Sequence, residues 1–238
     1  MKTGMAQGGC VLFSEMTPDT SYEAEFNDWY DCEHIPLRMR VPGFHSAQRY
    51  VAPGTRHYLA IYEMDSASVL QSPPYQEVKN NPSERTRWML RTVRGFTRYI
   101  GNQIGMQTRP TTSEAEPIDA AYVYAVFFAV PGERQAEFND WYERDHAPTL
   151  LECKDWLMVR RLRITDGEPE KWTHLALHYL ADSAALSSPE RERARASPWR
   201  ARLAQESWFN GKYIVFAKHG ARQWNSSLGS STHLSNTR

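Results

Sequence analysis

The chain carries one twelve-residue motif twice, and this repeat constrains the fold more than any other feature. Residues 25–36 read EFNDWYDCEHIP, and residues 137–148, which follow at an offset of 112, read EFNDWYERDHAP. Eight of the twelve positions are identical and two more keep an acidic group, so chance does not explain the match. Self-similarity of this kind predicts two units of one plan within the chain.

Hydrophobic periodicity predicts the same order of elements in both halves: strand, helix, two strands, helix, strand. The predicted strands are residues 10–16, 44–51, 56–64, 97–104, 120–130, 156–164, 172–180 and 212–218. The predicted helices are residues 22–38, 68–92, 133–151 and 184–205, with prolines interrupting the second helix of each half. The predicted fold class is α+β, with two tandem ferredoxin-like βαββαβ repeats packed sheet to sheet as an intramolecular dimeric α+β barrel.

Domain boundaries follow from this plan. We expect a first repeat over residues 1–107, a linker rich in Thr, Pro and Glu over 108–118, a second repeat over 119–219, and a flexible tail over 220–238. Each repeat would cover the bare apolar sheet face of the other. The expected state is therefore a monomer with pseudo-twofold symmetry or a homodimer.

Composition narrows the function classes. Lys plus Arg and Asp plus Glu each number 28, so the net charge is zero and neither nucleic acid nor an anionic membrane is an expected partner. The three cysteines have no CxxC spacing, which favours free thiols in a reducing compartment. No apolar run approaches the length of a membrane helix, and the start of the chain has no signal-peptide core. The predicted localisation is cytoplasmic.

The motif histidines are the candidate general acids or bases. A histidine two residues before a proline lies where a helix breaks, and such an end often faces a cleft. An acidic neighbour is available to orient each ring, and a tyrosine four residues earlier is placed to contact the ring or a substrate oxygen. Asp31 and Glu143 are alternatives for the orienting acid. The candidate catalytic residues are His34, His146, Tyr30, Tyr142, Glu33 and Asp145.

A second set has an expected role in binding the substrate. Two arginines that lie at corresponding strand positions are suited to hold a carboxylate or enolate oxygen, and the motif aromatics are suited to wall a pocket. A structural role is the alternative, with the aromatics as helix-to-sheet core and the arginines on the strand surface. The candidate substrate-binding residues are Trp29, Trp141, Phe26, Asn27, Arg49 and Arg161.

Motifs of other chemistries are missing from the sequence. It contains no HExxH, Walker A, GxGxxG or GxSxG motif and no zinc spacing of Cys and His. The scattered histidines His45, His57, His174 and His178 have no recognisable ligand spacing, so we predict no metal site. We also predict no cofactor, although a haem held by one axial histidine would leave no sequence signature.

The unit Phe-Asn-Asp-Trp-Tyr-x-x-Glu-His-x-Pro with the following Val-Pro-Gly-Phe, residues 26–44, resembles the EthD-like members of the dimeric α+β barrel superfamily. The resemblance covers residues 10–105 and 120–219, but Leu-Glu-Cys-Lys replaces the Val-Pro-Gly turn in the second half. That superfamily includes cofactor-free monooxygenases, polyketide cyclases, lactone isomerases, decarboxylases, dehydratases and haem-dependent enzymes. The resemblance implies an aromatic-lined pocket between sheet and helix, with the motif histidine as the catalytic residue.

The first hypothesis is a cofactor-independent acid/base enzyme, a lyase, dehydratase or isomerase, that acts on a small aromatic or polyketide-like molecule. The alternatives are a non-catalytic ligand-binding or stress-response module and a haem-dependent enzyme of the same fold. Because the second half has lost the turn and carries Arg144 in place of Cys32, we favour the first half as the active one.

Overall fold

Eight antiparallel strands form a closed barrel in the computed structural model, which describes residues 8–109 and 117–225. The strands are β1 Cys10–Thr17, β2 Phe44–Val51, β3 Tyr58–Met64, β4 Arg94–Thr108, β5 Tyr122–Phe128, β6 Trp156–Glu168, β7 His174–Leu180 and β8 Lys212–Trp224. The order around the barrel is β1-β3-β2-β8-β5-β7-β6-β4, with β4 returning to β1. Their alternating apolar residues explain the strands, since one side of each faces the barrel interior.

The predicted fold class is wrong. Two ferredoxin-like repeats packed sheet to sheet would have kept two separate four-stranded sheets, but strand pairs that cross between the halves join all eight strands. β2 pairs with β8 from Ser46 opposite Trp224 onward, and β4 pairs with β6 from Arg98 opposite Glu168 onward. In the closed barrel, the strand edges that two stacked sheets would leave open form hydrogen bonds with each other.

The helical segments are short and lie outside the barrel. The predicted first helix of each half is broken into two α-helices with a π-helical turn between them, and prolines divide the second as expected. The α-helices are α1 Glu23–Trp29, α2 Ile35–Arg38, α3 Pro73–Asn80, α4 Glu84–Thr92, α5 Gln135–Trp141, α6 Ala147–Leu151, α7 Pro189–Ala196 and α8 Pro198–Leu203. No helix within the described ranges is long and apolar enough to cross a membrane.

Three apolar cores hold these elements together. One fills the barrel and takes residues from both halves, including Phe13, Tyr99 and Phe127. The other two lie between the outer barrel face and the helices of each half, around Trp29 in the first and Trp141 in the second. The motif aromatics Phe26 and Trp29 are fully buried there, as the structural interpretation of the aromatic stripe predicted.

A buried ion pair crosses the barrel interior and ties the halves together. Arg160 on β6 donates from Nη1 to both carboxylate oxygens of Glu63 on β3, at 2.7 and 2.8 Å. Both side chains are 0% exposed, and Arg160 also donates to Gln103 and to the backbone of Gly8. Every charge in this pair is compensated, which is the condition for an ion pair to be tolerated in a core.

Several predicted boundaries differ from those observed. β8 runs to Trp224, six residues beyond the predicted end at Lys218, so residues 220–224 of the predicted tail are strand. β4 extends from Arg94 to Thr108 and reaches the predicted linker. Residues 110–116 of that linker and residues 226–238 of the tail lie outside the described residues. The three cysteines are free, as predicted.

Candidate functional site

The repeated motif forms the same wide turn in both halves. Residues Tyr30–His34 and Tyr142–His146 are π-helical, closed by hydrogen bonds from the N–H of Ile35 to the carbonyl of Tyr30 and from Ala147 to Tyr142. A proline follows two residues after each histidine, and its missing N–H and bulky ring disfavour a regular turn there. π-helical turns of this kind often mark functional positions in helices.

The turn brings the motif tyrosine and histidine together. Their ring centroids lie 4.8 Å apart for Tyr30 and His34, and 5.1 Å apart for Tyr142 and His146. Each histidine also packs on the motif tryptophan, with a centroid distance of 4.6 Å to Trp141 in the second half. The predicted grouping of tyrosine, histidine and tryptophan is therefore present in both halves.

A cavity of about 390 Å³ opens beside the second motif, between the outer face of the barrel and helices α5–α8. This volume suits a small organic molecule. Aromatic side chains dominate its wall and three arginines stand on one side, with no carboxylate among the lining residues. The lining residues are Tyr124, Val126, Phe128, Trp141, Tyr142, His146, Leu150, Trp156, His178, Arg191, Arg195, Arg200, Phe209 and Tyr213.

Three buried side chains form a hydrogen-bonded row that ends at this cavity. The indole N–H of Trp156 donates to Nδ1 of His178 at 3.1 Å, and Nε2 of His178 lies 2.7 Å from the hydroxyl of Tyr142. Burial, together with the nearby charge of Arg191, holds the pKa of His178 well below its ordinary value, so the ring is neutral. Because an indole only donates, the proton of this neutral ring is on Nε2 and His178 donates to Tyr142.

That tautomer leaves the Tyr142 hydroxyl proton free to be donated to a ligand. Burial raises the pKa of Tyr142 well above its ordinary value, so the hydroxyl stays protonated at neutral pH. Tyr142 is 2% exposed and lines the cavity. It is therefore a fixed hydrogen-bond donor whose own oxygen is supported from behind by His178.

His146 is a neutral imidazole beside this donor. Burial, and then the charges of Arg200, Arg191 and Arg195, lower its pKa from 6.5 to about 3, and a backbone hydrogen bond with Ala194 acts in the opposite direction. Its Nδ1 is buried and has no hydrogen-bond partner within the described part of the chain. The ring is thus available as a proton acceptor, and its basicity depends on the arginine charges around it.

The first half has the corresponding cavity, but it holds only about 140 Å³. Tyr75, the third residue of α3, stacks on Phe44 with a ring-centroid distance of 5.9 Å and fills part of the space. The third residue of the corresponding helix α7 is Arg191. The hydroxyl of Tyr30 meets that of Tyr62 at 3.5 Å, a weak contact in place of the bond between Tyr142 and His178. Burial, then Arg38 and Arg49, hold the pKa of His34 well below its ordinary value.

The acidic residues predicted to orient the histidines contact other groups. Glu33 accepts from the hydroxyls of Ser83 and Thr86, at 2.5 and 2.7 Å. Asp145 accepts from the hydroxyl of Ser197 at 2.6 Å. Ser83 and Ser197 are the N-caps of α4 and α8, so these carboxylates fix helix starts rather than imidazole rings.

The two strand arginines are engaged by the helices in front of them. Arg49 donates to Asp31 at 2.9 Å and to Asn27 at 2.6 Å. In the second half, Arg161 contacts Glu143 and donates to Oδ1 of Asn139 at 3.0 Å. Neither arginine lines either of the two cavities described above. Asn27 and Arg49 are therefore hydrogen-bonded to each other, but neither lies in the wall of either cavity.

Sequence reasoning missed most of the second-half wall. His178 was considered only as one of four scattered histidines without ligand spacing, and Trp156 only as the first residue of a predicted strand. Arg191, Arg195 and Arg200 lie within the predicted helical stretch 184–205, in which no site residue was predicted. The one available signal was the departure from the repeat, because Tyr75 and Thr86 of the first half become Arg191 and Arg200 at the same distance from the helix N-caps.

No protein-family model and no curated protein matches the sequence. Solved structures do match. An anthrone oxidase-like protein aligns over 91% of this chain and 93% of its own, with a TM-score of 0.68 and 12% identity. A variant chlorite dismutase from Candidatus Nitrospira defluvii, in complex with cyanide, aligns over 92% and 94%, with a TM-score of 0.57 and 10% identity.

A Fusobacterium nucleatum protein assigned as a monooxygenase aligns over 89% of this chain and 93% of its own, with a TM-score of 0.53 and 10% identity. These three solved structures each match most of this chain and most of their own length. The chain shares their fold. At these identities the likeness shows the fold alone, and membership of the EthD-like group stays a prediction.

A haem held by one histidine is the alternative that the sequence left open, and the cavity residues can be compared with what a haem needs. An axial imidazole must be neutral with a ring nitrogen free of protein partners. Both nitrogens of His178 are engaged, whereas His146 is neutral and its Nδ1 has no hydrogen-bond partner among the described residues. The arginines offer partners for carboxylates. The residues therefore fit such a group, which His146 would hold through a ring nitrogen.

Proposed function

We propose that the protein is an acid/base enzyme, a lyase, dehydratase or isomerase, that acts on a small aromatic or polyketide-like molecule in the second-half cavity without a tightly bound cofactor. The observation that carries this proposal is the hydrogen-bonded row from Trp156 through His178 to Tyr142, which ends beside the neutral ring of His146. A fixed hydroxyl donor next to a neutral imidazole is the pair that carbonyl-directed proton transfer requires.

In the proposed step, His146 accepts a proton from a carbon next to a substrate carbonyl. The electron pair of the broken C–H bond forms a C=C bond, and the π pair of the carbonyl moves to its oxygen, which receives a hydrogen bond from the Tyr142 hydroxyl. Return of the proton to a different carbon completes an isomerisation, and loss of a neighbouring hydroxyl with that proton, as water, completes a dehydration. His178 supports the charge that builds up on the Tyr142 oxygen.

The site prediction from sequence thereby shifts from the first half to the second. The roles of His146 and Tyr142 stay as predicted, Trp141 walls the cavity, and His178 joins them as a positioning residue. Glu33 and Asp145 lose their place beside the histidines because they bind helix N-caps.

The test is deuterium uptake from D₂O into a tetralone carboxylic acid, an aromatic ketone with an acidic C–H beside the carbonyl, followed by NMR. We expect the wild type to catalyse exchange, and Tyr142→Phe to slow it about 100-fold or more. Tyr30→Phe is the matched control in the first half and should exchange at the wild-type rate. Equal rates for both variants would contradict the proposal, and binding without any exchange would favour the ligand-binding module.

A haem protein is the second candidate, because His146 is a neutral imidazole with an unpartnered nitrogen in an aromatic cavity. Bound haem would supply one-electron and O₂ chemistry, and His146 would hold it through a ring nitrogen. An absorbance titration of the purified protein with haem decides: a Soret band that His146→Gln abolishes supports this candidate, and no band removes it.

We further propose that the two halves arose by tandem duplication of an EthD-like ancestor. The same π-helical turn at both motifs supports this origin. The division into two repeats joined by a linker and the cytoplasmic location also stay predictions.

A further inference from the structure

Three arginines from two consecutive helices face the second-half cavity. Arg191 and Arg195 belong to α7, four residues apart and hence on one face of that helix, and Arg200 is the third residue of α8. All three line the cavity, which has no Asp or Glu in its wall. Arg200 is partly buried, with its guanidinium 5.6 Å from the ring of Phe209.

None of these three guanidinium groups has a carboxylate within ion-pairing distance in the described part of the chain. Their observed bonds go to neutral oxygens, from Arg191 to the carbonyl of Leu186 at 2.8 Å and from Arg200 to the carbonyl of Arg195 at 3.3 Å. The outward-facing Arg193 on the same helix is different, because it pairs with Glu152 at 2.5 Å. Like charges gathered without a counter-charge repel each other, so an anion at this position would be favoured.

The first half lacks this feature. At the third position after the helix N-cap it has Tyr75 on α3 and Thr86 on α4, where the second half has Arg191 and Arg200. Thr86 accepts the indole N–H of Trp29 at 2.9 Å, whereas the indole N–H of Trp141 is buried and has no partner in the described chain. The second half thus lacks this buried hydrogen bond and has a cation at the cavity instead.

We propose that Arg191, Arg195 and Arg200 form a subsite for the carboxylate of a small aromatic acid whose ring lies against the aromatic wall of the second-half cavity. The planar guanidinium fork matches a carboxylate in two parallel hydrogen bonds, and Trp141, Trp156 and Phe209 supply flat apolar surface for the ring. This inference rests on the proposed function and names its substrate class. An anion here also raises the basicity of His146, because it offsets arginine charges that lower the pKa of this residue.

The test is calorimetric titration with 2-naphthoate and with the neutral 2-naphthalenemethanol. We expect naphthoate to bind at least about tenfold more tightly than the alcohol, and this preference to weaken as NaCl is raised. Arg200→Thr, which restores the first-half residue, and Arg191→Met should each lower naphthoate affinity about tenfold or more without changing that of the alcohol. Arg193→Met is the control on the same helix and should bind both as the wild type does.

Equal affinity for the two probes in the wild type, or equal losses in Arg193→Met and Arg191→Met, would overturn the subsite. A carboxylate could also come from haem, so haem is titrated in the same variants. Haem binding that depends on Arg191 and Arg200 and is displaced by naphthoate supports the subsite with propionate as its source. Naphthoate binding without a Soret band supports a free aromatic acid.

The failure of this inference and that of the proposed function are distinguishable. Arginine-dependent naphthoate binding without deuterium exchange would leave the subsite in place and remove the acid/base enzyme. Exchange that depends on Tyr142, in a protein that binds both probes equally, would do the reverse.

Discussion

The buried neutral histidines make stability depend on pH, and His146 gives the clearest case. Its pKa is lowered from 6.5 to about 3 in the folded protein, so between these values the unfolded chain binds a proton that the folded chain does not. Stability therefore rises with pH across this window and is lost as pH falls below 6.5. At pH 5.0 the loss for this one group is about 2 kcal/mol relative to pH 7.5.

The assay is urea unfolding at pH 7.5 and pH 5.0 for the wild type and His146→Gln. The difference in unfolding free energy between the two pH values should shrink by about 2 kcal/mol in the variant, because glutamine does not titrate. Titrating groups that do not interact with His146 cancel in this comparison. Tyr142→Phe, at the adjacent ring, removes no group that titrates in this range and should keep the wild-type pH dependence. An unchanged pH difference in His146→Gln would refute the buried, neutral state of this residue.

Two further predictions concern stability in other parts of the chain. Glu63→Gln leaves Arg160 charged and uncompensated in the barrel, so it should lower the free energy of unfolding by about 3–5 kcal/mol in a urea titration. Glu152→Gln, at an exposed ion pair, should change it by less than about 1 kcal/mol, and similar effects would contradict the role of the buried pair. Thr86→Val removes the acceptor for the Trp29 indole and should cost about 1–3 kcal/mol, measured in the same way. A variant as stable as the wild type would show that this bond is dispensable.

The local sequence pattern predicted the strands well, but it did not predict that they close into one barrel. β2 was predicted at its observed bounds because alternation and turn residues mark its ends. The barrel depends on pairing of β2 with β8 and of β4 with β6, and such contacts join residues far apart in sequence. Periodicity carries no information on which strand edges meet, so the closed arrangement could not be derived from it.

The candidate site could be predicted only in part, again because a local pattern does not show which distant residues meet. Conspicuous residues such as Tyr142 and His146 stand in a repeated motif, and the turn that brings them together follows from the proline after them. Their partners do not repeat. His178 occupies a strand position held by tyrosine in the first half, and Arg200 replaces a threonine, so these residues appear only when the two halves are compared in space.

The most direct test of the account is a crystal structure of the protein soaked with 2-naphthoate. The account predicts that the naphthalene ring occupies the second-half cavity, with its carboxylate facing Arg191, Arg195 and Arg200 and with the Tyr142 hydroxyl within reach of the ligand. Naphthoate in the smaller first-half cavity beside His34, or a second-half cavity that stays empty at saturating ligand, would contradict it.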